Sequence, residues 1–144
     1  MDKSATRAAF EHALETSRPE FGEFFLAKLL GLEIEYGDKQ CRVAFEVKDF
    51  MRNPQGTLHG GIIATVMDIS MGHLLKHVQG AGTTLEMKTQ YVKAAASGKL
   101  LCTGEFIKQG NGISYLRSTL ADESGDCVAF ATATWKRLKS AGAS

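Results

Sequence analysis

Asn53-Pro-Gln-Gly-Thr-Leu-His59-Gly60-Gly61 is a turn-rich stretch that runs straight into Ile62-Ile-Ala-Thr-Val-Met-Asp68-Ile-Ser-Met-Gly-His-Leu-Leu75. The second part is apolar on every side, the pattern of a buried helix, and Asp68 is the single carboxylate in its middle. An ionised carboxylate taken out of water without partners is costly or shifts its pKa. A chain that keeps one there either pairs it or uses it, and we read Asp68 as used, as a general base or a nucleophile. Backbone N–H groups at the start of the same helix can polarise a carbonyl oxygen, aided by the positive end of the helix dipole. Gly60 and Gly61 leave room for that oxygen because no Cβ stands in the way. His59 falls at the helix entrance, where it can hydrogen-bond the preceding loop or Asn53.

Asp68 lies eight residues beyond Gly60, about 12 Å along the axis at about 1.5 Å per residue. One helix therefore cannot bring its own N-terminus and its own Asp68 to one carbonyl carbon. Two helices antiparallel across a two-fold axis can do so twice, so the spacing predicts a homodimer with two composite sites.

The elements that must hold this helix are legible on either side of it. Residues 4–16 are rich in helix formers, with an apolar stripe at Ala9, Phe10, Ala13 and Leu14. Pro19 stands where a second short helix would begin and Gly31 where it would end. Residues 1–30 thus read as an N-terminal helical segment. From Leu32 the period changes, and Gly37-Asp38 reads as the turn of a hairpin between Leu32–Tyr36 and Gln40–Val47. The helix is expected from Gly60 to His77, closed by Gly80–Gly82. Strand-like runs follow at 83–92, 99–108, 113–121 and 126–137, and their short separators predict an antiparallel meander. Both faces of the last strand read as mostly buried. The order α, ββ, buried α, ββββ gives an α+β fold, with the helix across the concave face of an antiparallel sheet. The whole of 1–144 reads as one domain, with 139–144 a disordered tail.

Composition narrows the classes. A chain of 144 residues suits one core, and a formal charge of +1 gives no field for nucleic acid or a membrane surface. The apolar run from Gly60 to Leu75 is shorter than the roughly 18 residues of a membrane span, and no secretory signal is visible at the start. Cys41, Cys102 and Cys127 are odd in number and lack CxxC spacing. They read as small core residues in a reducing compartment, which makes the cytoplasm the expected location. His73 and His77 have the i,i+4 spacing of a metal pair but no acidic third ligand nearby, and read as exposed histidines of the last turn.

Asn53-Pro54, Gly56, His59-Gly60-Gly61 and an acidic residue eight positions after Gly60 together resemble the hotdog-fold acyl-CoA thioesterases of the phenylacetate-degradation and thioesterase-superfamily-member-2 type. The likeness runs over the element order from about Gly22 to Lys136. Tyr91-Val-Lys-Ala-Ala95 stands where that family has Tyr-x-x-Pro-Ala, without the proline. The resemblance implies an antiparallel sheet wrapped around one long helix, a dimer or dimer of dimers (a homotetramer), and hydrolysis of an acyl-CoA without metal or organic cofactor. It also implies a helping hydroxyl on the following strand, which falls on Thr84 with Thr83 as a close rival. Asp68, Gly60, Asn53, His59 and Thr84 are then the expected catalytic group. Gly61, Thr83 and Lys93 are expected to bind substrate, with Lys88, Lys108 and Arg117 as further candidates for the coenzyme phosphates.

Plainer readings stand beside each of these. Asp68 could cap a backbone group or pair with His73, His59 could anchor its loop, and the two glycines could serve close packing alone. A hotdog dehydratase or hydratase, and a non-catalytic acyl-binding module, are the rivals from other classes.

Overall fold

The computed structural model describes residues 1–139; of the expected tail, 140–144 lie outside the described residues. Two helices come first, α1 (Lys3–Thr16) and α2 (Phe25–Leu30), followed by the hairpin β1 (Glu33–Gly37) and β2 (Gln40–Glu46). The 20-residue helix α3 (Gly60–Gln79) follows a single 3-10 turn, Asp49–Met51. Strands β3 (Gly82–Tyr91), β4 (Lys99–Lys108), β5 (Ile113–Ala121) and β6 (Cys127–Arg137) complete the described chain. All six strands form one antiparallel sheet in the order β1-β2-β4-β5-β6-β3, and α3 packs against five of them, β2 to β6. This is the hotdog arrangement.

The expected meander is corrected by that order. Of the four strands after α3, only β4, β5 and β6 pair consecutively; β3 pairs with β6 and β4 with β2. The cause lies in residues 92–98, which are an irregular crossing segment and not a hairpin turn. By crossing, the chain sets Leu100 and Cys102 opposite Phe45 and Val43, which joins the first hairpin to the main sheet through a row of buried side chains.

Alternation along the strands fills the core. Cys41, Val43 and Phe45 of β2, Leu116 and Leu120 of β5, and Ala129, Ala131, Ala133 and Trp135 of β6 are buried with Val66, Met67, Met71 and Leu74 of α3. The outer face of β6 carries Phe130, which is 40% exposed, and an exposed Thr132, so that strand is buried on one face and not on two. Close approach of helix and sheet depends on missing side chains. A Cβ on Gly72 would stand 2.6 Å from the Trp135 ring, and one on Gly104 would stand 2.6 Å from the Ser70 carbonyl oxygen. The Trp135 indole N–H is buried with no hydrogen-bond partner among the described residues.

The N-terminal segment differs from its expected form. Helix α1 buries only Ala13 of its stripe and leaves Phe10 and Leu14 about half exposed. Helix α2 begins at Phe25, not Pro19, because residues 17–24 turn back on themselves: the Arg18 N–H donates to the Glu23 carbonyl at 2.8 Å, and Gly22 adopts a φ of +78°. Gly31 ends α2 in the left-handed region, as its type predicts.

Candidate active site

Helix α3 starts at a well-defined cap. The His59 ring Nδ1 accepts the Gly61 N–H at 2.8 Å, which leaves the proton of a neutral ring on Nε2. This occupies one of the two N–H groups expected to face substrate. The Gly60 N–H makes no hydrogen bond among the described residues and points out of the first turn. Above it lies Tyr91, whose hydroxyl donates to the Gly60 carbonyl at 2.8 Å and whose ring a Cβ on Gly60 would touch at 3.2 Å. Glycine at 60 lets the Tyr91 ring lie this close; a side chain there would push the ring outward by a few tenths of an ångström.

Asn53 builds the loop that delivers this turn. Its Nδ2 donates to Thr57 Oγ1 at 3.0 Å, its Oδ1 accepts the Thr57 N–H at 3.1 Å, and its backbone N–H donates to the Thr57 carbonyl at 2.8 Å. Asn53, Gly60, Tyr91 and Lys93 line one concavity of about 330 Å³. Lys93 is not a free cation there. Its ammonium bridges Asp122 at 2.7 Å and Asp126 at 3.0 Å, and these bonds raise its pKa above the usual lysine value.

Asp68 occupies a different concavity. It is half-buried, not fully buried as the apolar run suggests, because the side of α3 that carries Ala64, Thr65 and Asp68 faces away from the sheet core. Thr84 Oγ1 donates to Asp68 Oδ1 at 2.7 Å, while Thr83 is exposed on the other face of β3. A bulge between Thr84 and Glu86 resets the alternation so that both Thr84 and Met87 turn inward. Oδ2 of Asp68 has no partner among the described side chains, so one carboxylate oxygen is positioned and the other is unengaged. The cavity around it measures about 670 Å³ and is walled by Phe21, Phe24, Met87 and Trp135.

His73 closes that cavity and is not an exposed last-turn residue. It is 4% exposed, its Nε2 accepts the Gly22 N–H at 3.0 Å, and its Nδ1 therefore carries the proton that meets the Ile69 carbonyl at 3.0 Å. Burial pushes its pKa below the ordinary histidine value, against smaller opposing effects of the Ile69 carbonyl and the Asp68 charge. His77 stacks on Tyr36 with ring centroids 4.3 Å apart. No three His, Cys, Asp or Glu side chains converge as metal ligands among the described residues, and no described helix is long and apolar enough to cross a membrane.

The expected residues thus form two groups on one chain: Asn53, His59, Gly60 and Gly61 at the helix entrance, and Asp68 with Thr84 two turns further on. Tyr91 over Gly60, and the Phe21–Phe24 wall beside Asp68, are contacts that sequence reasoning missed. Both bring together residues more than 30 positions apart, and only the aromatic side chains themselves hinted at them.

Comparison with known proteins bears on the family and the fold. The model of the thioesterase superfamily matches residues 55–129. The medium/long-chain acyl-CoA thioesterase YigI of Salmonella typhimurium is 26% identical over 139 residues, covering 79% of this chain and 89% of its own. Among solved structures, the conserved protein PA5202 of Pseudomonas aeruginosa aligns with a TM-score of 0.74 at 26% identity, over 78% of this chain and 93% of that one. The Escherichia coli PaaI protein from the phenylacetic acid degradation operon aligns with a TM-score of 0.79 over 91% of this chain and 96% of its own; at 17% identity it speaks for the fold.

Proposed function

The chain belongs to the thioesterase superfamily, and from that premise we propose that it hydrolyses acyl-CoA thioesters to a free acid and coenzyme A at sites composed from two chains. The observation that carries the proposal is the half-buried Asp68 carboxylate, held through one oxygen by Thr84 at 2.7 Å with the other oxygen unengaged. In this reading the Gly60 N–H of one protomer donates to the thioester carbonyl oxygen and stabilises the charge that develops there. Asp68 of the partner subunit either takes a proton from water as the water adds to the carbonyl carbon, or adds to that carbon itself and forms an anhydride that water then opens. Collapse of the tetrahedral adduct releases the thiolate, which is protonated to free coenzyme A. Thr84 orients the carboxylate in both routes. Asn53 and His59 act by holding the entrance turn, and Tyr91 fixes the Gly60 peptide from above.

Other parts of the reading follow from the same observations. Lys93 is engaged by two carboxylates and Arg117 lies 3.7 Å from Glu105, which leaves Lys88 and Lys108 as the candidates for the coenzyme phosphates that carry no ion pair among the described residues. The dimer, its further assembly into a dimer of dimers, and a cytoplasmic location belong to this proposal; three free cysteines fit the last of them. A dehydratase would want histidine and acid poised at one substrate. Here His59 is spent on the Gly61 N–H, and His73, the histidine that shares the Asp68 cavity, has both ring nitrogens engaged, Nε2 by the Gly22 N–H and Nδ1 by the Ile69 carbonyl.

A thiol-release assay tests the proposal. Phenylacetyl-, hydroxybenzoyl-, short-chain and long-chain acyl-CoAs are offered in turn, and turnover of at least one is expected. Binding without turnover of any would replace the enzyme with an acyl-binding module.

A further inference from the structure

Residues Pro19–Phe24 form neither helix nor strand, yet they are held in place from outside their own sequence. The Gly22 N–H is donated to His73 Nε2 at 3.0 Å, and the Phe21 ring meets the His73 ring edge-on with centroids 4.9 Å apart. The Lys76 ammonium lies 5.7 Å from the Phe21 ring centre, and Phe24 packs on the same imidazole at 5.9 Å. These contacts fix an aromatic side chain that is still 45% exposed. Phe21 and Phe24 line the 670 Å³ cavity together with Met87, Trp135 and Asp68. A cavity of several hundred Å³ with apolar walls and one reactive polar group is the general form of a small-ligand site.

We infer that the Pro19–Phe24 arm is the specificity wall of the acyl pocket, that His73 is the residue positioning it, and that the acyl groups preferred are apolar chains long enough to reach Phe21. The inference rests on the reading of Asp68 as the hydrolytic carboxylate, because the chain of an acyl group attacked there continues into this cavity. His73 touches no reacting atom. It acts by offering a lone pair to the Gly22 N–H, which only the imidazole without a proton on Nε2 can do. Each methylene that the arm covers favours binding by about fourfold, so chain-length preference should be written in the arm.

The experiment measures kcat/KM for decanoyl-CoA and butyryl-CoA and takes their ratio, in the wild type and in Phe21→Ala, Phe21→Leu, His73→Leu and His73→Gln. Circular dichroism and size-exclusion chromatography first establish that each variant folds and keeps the wild-type assembly. Phe21→Ala and His73→Leu are expected to lower the ratio by about tenfold or more, and Phe21→Leu by less. His73→Gln offers a carbonyl oxygen to the Gly22 N–H and should bring the ratio back to within about threefold of wild type. A ratio unchanged within twofold in folded Phe21→Ala and His73→Leu overturns the inference and leaves the thioesterase reading standing. An equal fall on both substrates, or loss of the assembly, gives the arm a structural role and overturns it too. A wild type that turns over neither these nor any other thioester removes the reading of Asp68 and the inference together.

Discussion

Thr84 donates its proton to one oxygen of Asp68 and leaves the other bare; in the proposed reaction the two residues divide a single task between charge and orientation. Replacing the carboxylate by an amide keeps the shape, and the amide oxygen can still accept from Thr84. We expect Asp68→Asn to lower kcat by about a hundredfold or more with little change in KM, because the lost function belongs to the transition state. A kcat within about threefold of wild type, measured by thiol release, would reduce Asp68 to a structural residue. Removing the charge from a half-buried site should cost no stability and can raise the melting temperature. Thr84→Ala removes one hydrogen bond, worth about 1–1.5 kcal/mol, and should slow turnover by roughly tenfold. Thr83→Ala, on the exposed face of β3, should leave it near wild type. A larger loss from Thr83 than from Thr84 in the same assay would reverse the two roles.

At the scale of the elements, what the sequence discloses depends on whether the deciding contacts are local. Helix α3 was legible because its apolar run and its His-Gly-Gly entrance are contiguous, and strands β4 and β5 because turn residues bracket them. The crossing at 92–98 was not, since Ser97-Gly98 carries the same signal in a crossing segment as in a hairpin turn. The loop at 17–24 was hidden for a related reason: the Gly22 N–H goes to His73, 51 positions away, and no local pattern records that. The place of His73 in the last turns of a helix predicts an exposed side chain, whereas the arm that covers it lies some fifty positions earlier in the chain. This clasp has a consequence for stability. Burial lowers the folded-state pKa of His73 below its unfolded value of about 6.5. The folded form therefore binds fewer protons, so the stabilisation is complete above that value and is lost as pH falls through the folded pKa. The melting temperature should drop between about pH 7 and pH 5. His73→Gln, which does not titrate, should show a shallower drop; an equal slope in both proteins would contradict the role given to the imidazole.

For the molecule as a whole, the decisive feature is that Gly60 and Asp68 open into different concavities of one chain. They are separated by eight residues of unbroken helix, about 12 Å at about 1.5 Å per residue. In the proposed reaction a single protomer therefore offers each half of the chemistry to a different place, and two protomers in antiparallel register would supply both halves to both sites. The most direct measurement is complementation between two damaged parents, Asp68→Asn and Gly60→Val. Valine at 60 must displace the Tyr91 ring, which is 55% exposed and has room to move, and the parent must first be shown to fold and dimerise. Each homodimer should be nearly inactive. In a mixed dimer one site inherits both lesions and the other neither. Unfolding the parents together and refolding them in equal amounts makes about half the dimers mixed, each with one intact site of two, so activity should recover to about a quarter of wild type. Recovery no greater than the mean of the two parents, with mixed dimers confirmed by mass, would mean that each site lies within one chain, and the composite site would be wrong.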